Sequence, residues 1–61
     1  SDSAELKEVI EAVIQENAKS VGDFKAGKTN ALTFLIGQVM KKSSGKANPK
    51  LAGDLIKRRF T

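Results

Sequence analysis

The segment from Ala31 to Met40 is apolar around most of a helix circumference, and this feature constrains the fold of the chain more than any other. Its apolar residues are Ala31, Leu32, Phe34, Leu35, Ile36, Val39 and Met40. The stripe that remains is polar or small and consists of Asn30, Thr33, Gly37 and Lys41. A helix that is apolar over so wide an arc is predicted to lie in the middle of a bundle.

Gly37 stands inside this predicted helix. A glycine there costs about 1 kcal/mol relative to alanine. It therefore indicates a close backbone approach, either by another helix or by a ligand. Packing against another helix is the favoured interpretation.

Helical spacing also predicts a first helix over roughly residues 3–17, capped by Asp2 or Ser3. Its inward residues are Leu6, Val9, Ile10, Val13 and Ile14. A short second helix is predicted to begin at the capping-box pair Ser20 and Asp23. Its inward residues are Val21 and Phe24, and Gly27 is placed to end it.

The third helix is predicted from about Thr29 to Ser43, and a polar loop follows it. Asn48 as cap and Pro49 at the first helical position begin a fourth helix. Its apolar stripe consists of Leu51, Ala52, Leu55, Ile56 and Phe60. Nothing alternates with period two, so the expected fold is all-α: a small bundle of about four helices, two long, one short and one C-terminal.

The composition removes most catalytic chemistry. The chain has no Cys and no His, hence no disulfide, no thiolate metal site and none of the commonest catalytic bases. Its carboxylates are expected to be solvated, without a base or nucleophile beside them. We therefore predict a single domain over residues 1–61 with no catalytic residue, no metal site and no cofactor.

Residues 22–29 match the phosphate-loop pattern G-x-x-x-x-G-K-[ST] letter for letter. That loop requires a buried strand before it, whereas residues 17–21 are polar and turn-like, and 61 residues leave no room for a parallel sheet. Nucleotide binding is therefore disfavoured. Gly27 is interpreted as a helix stop and Lys28 as a surface residue.

No apolar run approaches the ~20 residues of a membrane helix, and no segment resembles a signal peptide. A cytoplasmic location is therefore expected. A helix follows Ser1 almost immediately, which suggests a segment of a longer protein.

Charge is divided unevenly along the chain. Residues 1–24 carry six acidic and two basic residues, a net charge of −4. Residues 25–61 carry nine basic residues and one acidic residue, a net charge of +8. The basic part favours a polyanionic partner over a merely solvated surface.

The densest basic segment surrounds Gly45, between Lys41 or Lys42 and the start of the fourth helix. A phosphate is expected between that helix end and Lys46 or Lys50. An equally weighted alternative is structural. The lysines in the last turn of the third helix then offset its dipole, and Gly45 and Pro49 only end one helix and begin the next.

The aromatic residues narrow the mode of recognition. Phe24, Phe34 and Phe60 are all predicted to face inward, and there is no Tyr or Trp, so a base-stacking platform is not expected. Lysine outnumbers arginine, which favours phosphate contacts over reading of guanine. Arg58 and Arg59 either extend this surface or form a charged helix end.

The segment from Gly27 to Pro49 resembles the GatB/YqeY domain family, the C-terminal tail of the B subunit of the tRNA-dependent Asp/Glu amidotransferase. The matching motifs are GK, FLxGQVMK and GKANP, with Ala31 between the first two. Ile36 stands where the family pattern has Val, and Ser43 where it has Thr. The resemblance weakens towards the N-terminus, and residues 51–60 fit only as an amphipathic helix.

This resemblance implies a non-catalytic tail that binds tRNA(Gln) or tRNA(Asn) by shape and phosphate contacts at the tRNA elbow. It implies as further partners the other domains and subunits of the amidotransferase, where ATP, magnesium and glutamine act. The expected RNA-binding residues are Lys28, Lys41, Lys42, Gly45, Lys46, Asn48 and Lys50.

Two other classes of function stay open. In the first, the chain is a protein-docking module whose Gly37 helix packs on another subunit without touching RNA. In the second, it is a DNA-binding helical bundle that uses the fourth helix in a groove. The exposed face of that helix offers Lys50, Asp54 and Lys57 but no Asn or Gln pair for adenine.

Overall fold

Four α-helices make up the computed structural model, which describes the backbone of residues 2–61 and side chains from residue 4 onward. They are α1 (Asp2–Glu16), α2 (Ala18–Lys25), α3 (Thr29–Lys42) and α4 (Pro49–Arg59), and no strand occurs in this part of the chain. The predicted all-α bundle of four helices is confirmed. The predicted capping of α1 by Asp2 or Ser3 lies outside the described side chains.

The core lies between α1 and α3, each of which contacts all three other helices. Leu35 and Val39 of α3 are 0% exposed. The buried apolar residues from the other helices are Leu6, Ile10, Val13, Ile14, Val21, Ala52 and Ile56. The wide apolar arc of α3 is thus explained by its position in the middle of the bundle, as predicted.

The start of α2 differs from the prediction. The helix begins at Ala18 with Asn17 as N-cap, so Ser20 lies inside it and does not cap it. The Nδ2 of Asn17 donates to the carbonyl of Val13 over 2.9 Å. The Asn17 carbonyl accepts from the Val21 amide over 3.0 Å. Because one residue both ends α1 and starts α2, no linker remains in which Ser20 would be needed as a cap.

The end of α2 agrees with the prediction, because Gly27 has φ +96°. Its amide donates to the Phe24 carbonyl over 3.0 Å, and the Lys28 amide donates to the Asp23 carbonyl over 3.0 Å. This is a Schellman motif, which satisfies the last carbonyls of a helix. Residues 22–29 therefore form a helix end and a turn, and a helix rather than a strand precedes them.

The close backbone approach predicted at Gly37 occurs instead at Gly53. A Cβ built at Gly53 would lie 3.0 Å from Cδ1 of Ile36, so α3 and α4 pack closely at this point. Gly37 is exposed, and a Cβ built there meets nothing within 4 Å. The packing interpretation of Gly37 is therefore wrong within this chain.

Gly37→Ala is expected to raise the free energy of unfolding by about 0.5–1 kcal/mol, because alanine has the higher helix propensity and the site has free space. Gly53→Ala should gain less, because Ile36 has to move. Urea denaturation followed by far-UV circular dichroism measures both. Destabilisation by Gly37→Ala would show that its backbone is under a constraint absent from this account.

Two large apolar side chains predicted to face inward are exposed, Phe34 at 46% and Leu51 at 44%. Phe34 lies at the edge of the apolar arc of α3, where Leu35 and Val39 already fill the core. Leu51 lies in the first turn of α4, on the opposite side of the helix from Gly53. The inward prediction holds better for Phe24 and Phe60, which are half-buried and pack edge to face with ring centroids 6.1 Å apart.

Candidate nucleic-acid interface

The turn after α3 has a fixed backbone. Ser44 and Gly45 both have positive φ, 56° and 77°. The Ser44 amide donates to the Lys41 carbonyl over 3.1 Å, and the Gly45 amide donates to the Met40 carbonyl over 2.8 Å. Ser43 Oγ accepts the Ala47 amide over 3.1 Å. These bonds form a second Schellman motif, which gives Gly45 a structural role whatever else it contacts.

The N-terminus of α4 uses two of its four amide donors within the chain itself. Asn48 Oδ1 accepts the Leu51 amide over 3.1 Å, and the Asn48 carbonyl accepts the Ala52 amide over 2.8 Å. Pro49 has no amide hydrogen. Among the first residues of this helix, Asn48 and Lys50 are left with amides that have no acceptor within the described residues. Anion binding at this turn can therefore use these two amides together with the lysine side chains.

Two of the predicted RNA-binding lysines contact acidic residues of the same chain. Lys42 Nζ lies 2.9 Å from a carboxylate oxygen of Glu16 in α1, and Lys28 Nζ lies 3.8 Å from one of Asp23 in α2. Binding of either lysine to a phosphate would require exchange of an ion pair. These two residues are therefore the weaker candidates.

Lys28 is also remote from the others. It precedes the first turn of α3, and Lys41 lies in the last turn. Thirteen residues of helix separate them by roughly 20 Å. The predicted site is thus divided between the two ends of α3.

Three predicted lysines remain together at one end of the bundle, and we call Lys41, Lys46 and Lys50 the lysine cluster. They are exposed and form no ion pair within the part of the chain that the structure describes. Lys41 lies in the last turn of α3, Lys46 in the connecting turn and Lys50 in the first turn of α4. The Schellman motif after α3 and the Asn48 cap hold their backbones in fixed positions, while the side chains extend into solvent.

Lys57 is exposed in α4 and is not among the RNA-binding residues predicted from the sequence. Lys50 and Lys57 stand three residues before and four residues after Gly53, so they share its side of α4. Both are exposed, whereas Gly53 is buried against Ile36 of α3. The seven-residue spacing of Lys50 and Lys57 indicates from the sequence that they share one face of α4. Where that face lies relative to α3 follows only from the position of Gly53 in the structure.

Arg59 belongs to the fold rather than to this surface. Its Nε donates to Glu11 Oε2 over 2.7 Å, and its guanidinium lies 5.4 Å from the centroid of the Phe60 ring. The hydrogen bond to Glu11 and the negative charge of Glu11 raise the pKa of Arg59, whose guanidinium is charged in any case. Of the two C-terminal arginines, Arg58 alone is without an ion pair within the described residues.

Other kinds of site find little support in the described residues. No group of three or more His, Cys, Asp or Glu side chains there is placed to hold a metal ion. None of the four helices is long and apolar enough to cross a membrane.

The family model described as the GatB domain matches residues 1–60. The chain is 56% identical over its whole length to the B subunit of the aspartyl/glutamyl-tRNA(Asn/Gln) amidotransferase of Treponema denticola. It is 52% identical, again over its whole length, to the protein of the same name from Clostridium beijerinckii. It is 54% identical over 92% of its length to the one from Limosilactobacillus fermentum.

The chain spans 12–13% of the length of these relatives. The similarity therefore concerns one small part of a much larger protein. No solved structure matches the chain significantly.

Proposed function

The chain belongs to the GatB domain family, and on that premise we propose that it is a non-catalytic tRNA-binding tail of the B subunit of an aspartyl/glutamyl-tRNA amidotransferase. The lysine cluster is the observation that carries this proposal. A domain that places three exposed lysines around one turn between two helices, none of them ion-paired within the described residues, has the surface expected for phosphate contacts.

Catalysis is assigned to other parts of the parent complex. The relatives carry a transferase name, but this chain spans about an eighth of their length. The carboxylates among the described side chains either pair with basic residues or lie exposed on α1 and α4. The whole enzyme is proposed to amidate Glu-tRNA(Gln) or Asp-tRNA(Asn). It is proposed to use ATP, magnesium and glutamine at sites in other domains and subunits, and to be cytoplasmic.

Recognition is proposed to follow the shape and backbone of a folded tRNA, at its elbow. Lysine is a compact point charge that suits phosphate, whereas arginine has the planar fork better suited to bidentate contacts with base edges. The cluster lies at one end of the bundle, so a single small area makes the electrostatic contacts. Few such contacts give weak binding, with a dissociation constant of ~10⁻⁴ to 10⁻⁶ M at physiological salt.

The experiment is equilibrium binding of a labelled, folded tRNA transcript to the 61-residue chain at 50 and 200 mM salt, with duplex DNA as competitor. Three phosphate contacts predict that affinity falls roughly 20- to 50-fold between the two salt concentrations. DNA is expected to compete poorly. DNA that competes as well as tRNA would favour the DNA-binding bundle.

The docking module remains the second candidate, because Phe34 and Leu51 are large apolar side chains on the surface. In that case the chain would bind another part of the amidotransferase, and its response to tRNA would be weak and insensitive to salt. The same titration distinguishes the two functions.

A further inference from the structure

Phe34 and Gly37 lie side by side on the outward face of α3, and neither is explained by the fold. Phe34 is 46% exposed although most large apolar side chains of the chain are buried or half-buried. Gly37 is exposed in the interior of the helix, where glycine lowers helix stability. Its φ is not positive and a Cβ built there meets nothing, so neither backbone geometry nor packing requires it.

Together the two residues form a flat apolar surface. Residues three apart are neighbours on a helix, so the Phe34 ring stands beside the position of Gly37. Because Gly37 has no side chain, the side of the Phe34 ring nearest to it is next to exposed helix backbone. A planar group can approach such a surface, which we call the aromatic shelf.

The surroundings of the aromatic shelf are polar, and the acidic residue that lines the same depression as Phe34, Asp23, is paired with Lys28. Asn30, Thr33 and Gln38 are exposed or half-exposed next to it, and α3 contains no Asp or Glu. Amide and hydroxyl groups suit the edges of a base and the ribose hydroxyl. A protein-docking face of this size would be expected to be bordered by further apolar side chains.

The aromatic shelf is also continuous with the lysine cluster. Lys41 lies seven residues after Phe34 and four after Gly37, on the same face of α3. Two helical turns separate Phe34 from Lys41 by about 10 Å along the axis. A nucleic acid whose phosphates contact the cluster can thus place a nearby base over the ring.

We propose that the aromatic shelf stacks against one unpaired or end-exposed nucleobase of the RNA bound at the lysine cluster. Aromatic stacking accepts any base, because each has a π-face. The domain would then recognise an RNA with an accessible base at a fixed distance from the bound phosphates, rather than a continuous duplex. This inference rests on the proposed function, and it replaces the sequence-based expectation that a base-stacking surface is absent.

The test compares two variants whose wild-type side chains are almost equally exposed, Phe34→Ala and Leu51→Ala. Phe34→Ala is expected to weaken binding of a folded tRNA transcript about tenfold with the salt slope unchanged, since the phosphate contacts stay. Leu51→Ala is expected to change the affinity less than about twofold. A long, fully paired RNA duplex without a loop, in which most bound positions lie far from the ends, should bind both variants as it binds the wild type.

Gly37→Leu and Gly22→Leu form a second matched pair, because both glycines are exposed within helices and have free space around them. Leucine at position 37 is expected to cover the aromatic shelf and to weaken tRNA binding about tenfold. Leucine at position 22 should leave it unchanged. Both variants are expected to keep the circular dichroism spectrum of the wild type.

Phe34→Trp supplies a direct signal, because the chain contains no Trp. Quenching of the indole fluorescence by tRNA, together with wild-type affinity, is the expected result. If wild-type binding is salt-dependent but Phe34→Ala and Leu51→Ala bind tRNA with equal affinity, the stacking proposal is wrong and the proposed function stands. If the wild type shows no salt-dependent tRNA binding, both are overturned.

Discussion

Replacing Leu35 by alanine is expected to remove most of the stability of this bundle. Leu35 is the largest fully buried side chain and lies on the central helix. Leu→Ala in a core costs about 2–5 kcal/mol, because transfer free energy is lost and a cavity remains. A chain of 61 residues has about 3–9 kcal/mol in total at ordinary stability per residue. Urea denaturation followed by far-UV circular dichroism measures the loss.

Phe34→Ala is the matched control for Leu35→Ala, since it removes a larger side chain from the adjacent residue. Phe34 is almost half exposed, so its removal is expected to cost less than about 1 kcal/mol. Equal denaturation midpoints for the two variants would contradict the orientation of α3 in the bundle. The control also shows that a loss of RNA binding in Phe34→Ala is not caused by unfolding.

Neutralising two residues of the lysine cluster is expected to have the largest effect on RNA binding. Each lysine that contacts a phosphate contributes about one unit to the logarithmic salt slope, which corresponds to about tenfold in affinity near 0.1 M salt. Lys46→Gln combined with Lys50→Gln should therefore weaken tRNA binding about 100-fold. Fluorescence anisotropy of labelled tRNA over a salt series measures both affinity and slope.

The control is the double variant Lys7→Gln, Lys19→Gln, which changes the net charge by the same amount. Lys7 lies on α1 and Lys19 on α2, outside the lysine cluster. Its affinity is expected to stay within about threefold of the wild type. Equal losses in the two double variants would mean that tRNA responds to net charge alone and that the turn after α3 is not the site.

The helices themselves followed from the sequence because their signals are local. Apolar spacing located α1 and α3, Asn48 and Pro49 marked the start of α4, and Gly27 marked the end of α2. The predicted start of α2 was wrong because Asn17 serves two helices at once. That dual role depends on how α1 and α2 meet, which spacing does not specify.

The orientation of individual side chains followed less well, because it depends on which helix lies opposite. Phe34 and Leu51 belong to apolar stripes, yet each stands at the edge of its stripe and remains exposed. For the same reason the close backbone approach was predicted at Gly37 but is found at Gly53. Both are glycines within helices, and only Gly53 faces a neighbouring helix.

The sequence predicted the candidate site as a set of basic residues, and tertiary contacts leave fewer of them together and free of ion pairs within the described residues. Lys41, Lys46 and Lys50 stay together because a fixed turn connects α3 to α4. Lys42 and Lys28 pair with acidic residues of α1 and α2. Acidic residues of the N-terminal part thus neutralise some lysines of the C-terminal part. The net charge of each segment does not reveal these ion pairs.

Backbone amide shifts of the isotope-labelled chain, titrated with folded tRNA at 50 and 200 mM salt, show directly whether tRNA binds at the turn after α3. We expect salt-sensitive shifts from Lys41 to Lys50, further shifts at Phe34 and Gly37, and little change along the outward face of α1. No shifts, or shifts concentrated at the exposed carboxylates Glu5 and Glu8, would contradict tRNA binding at the turn after α3.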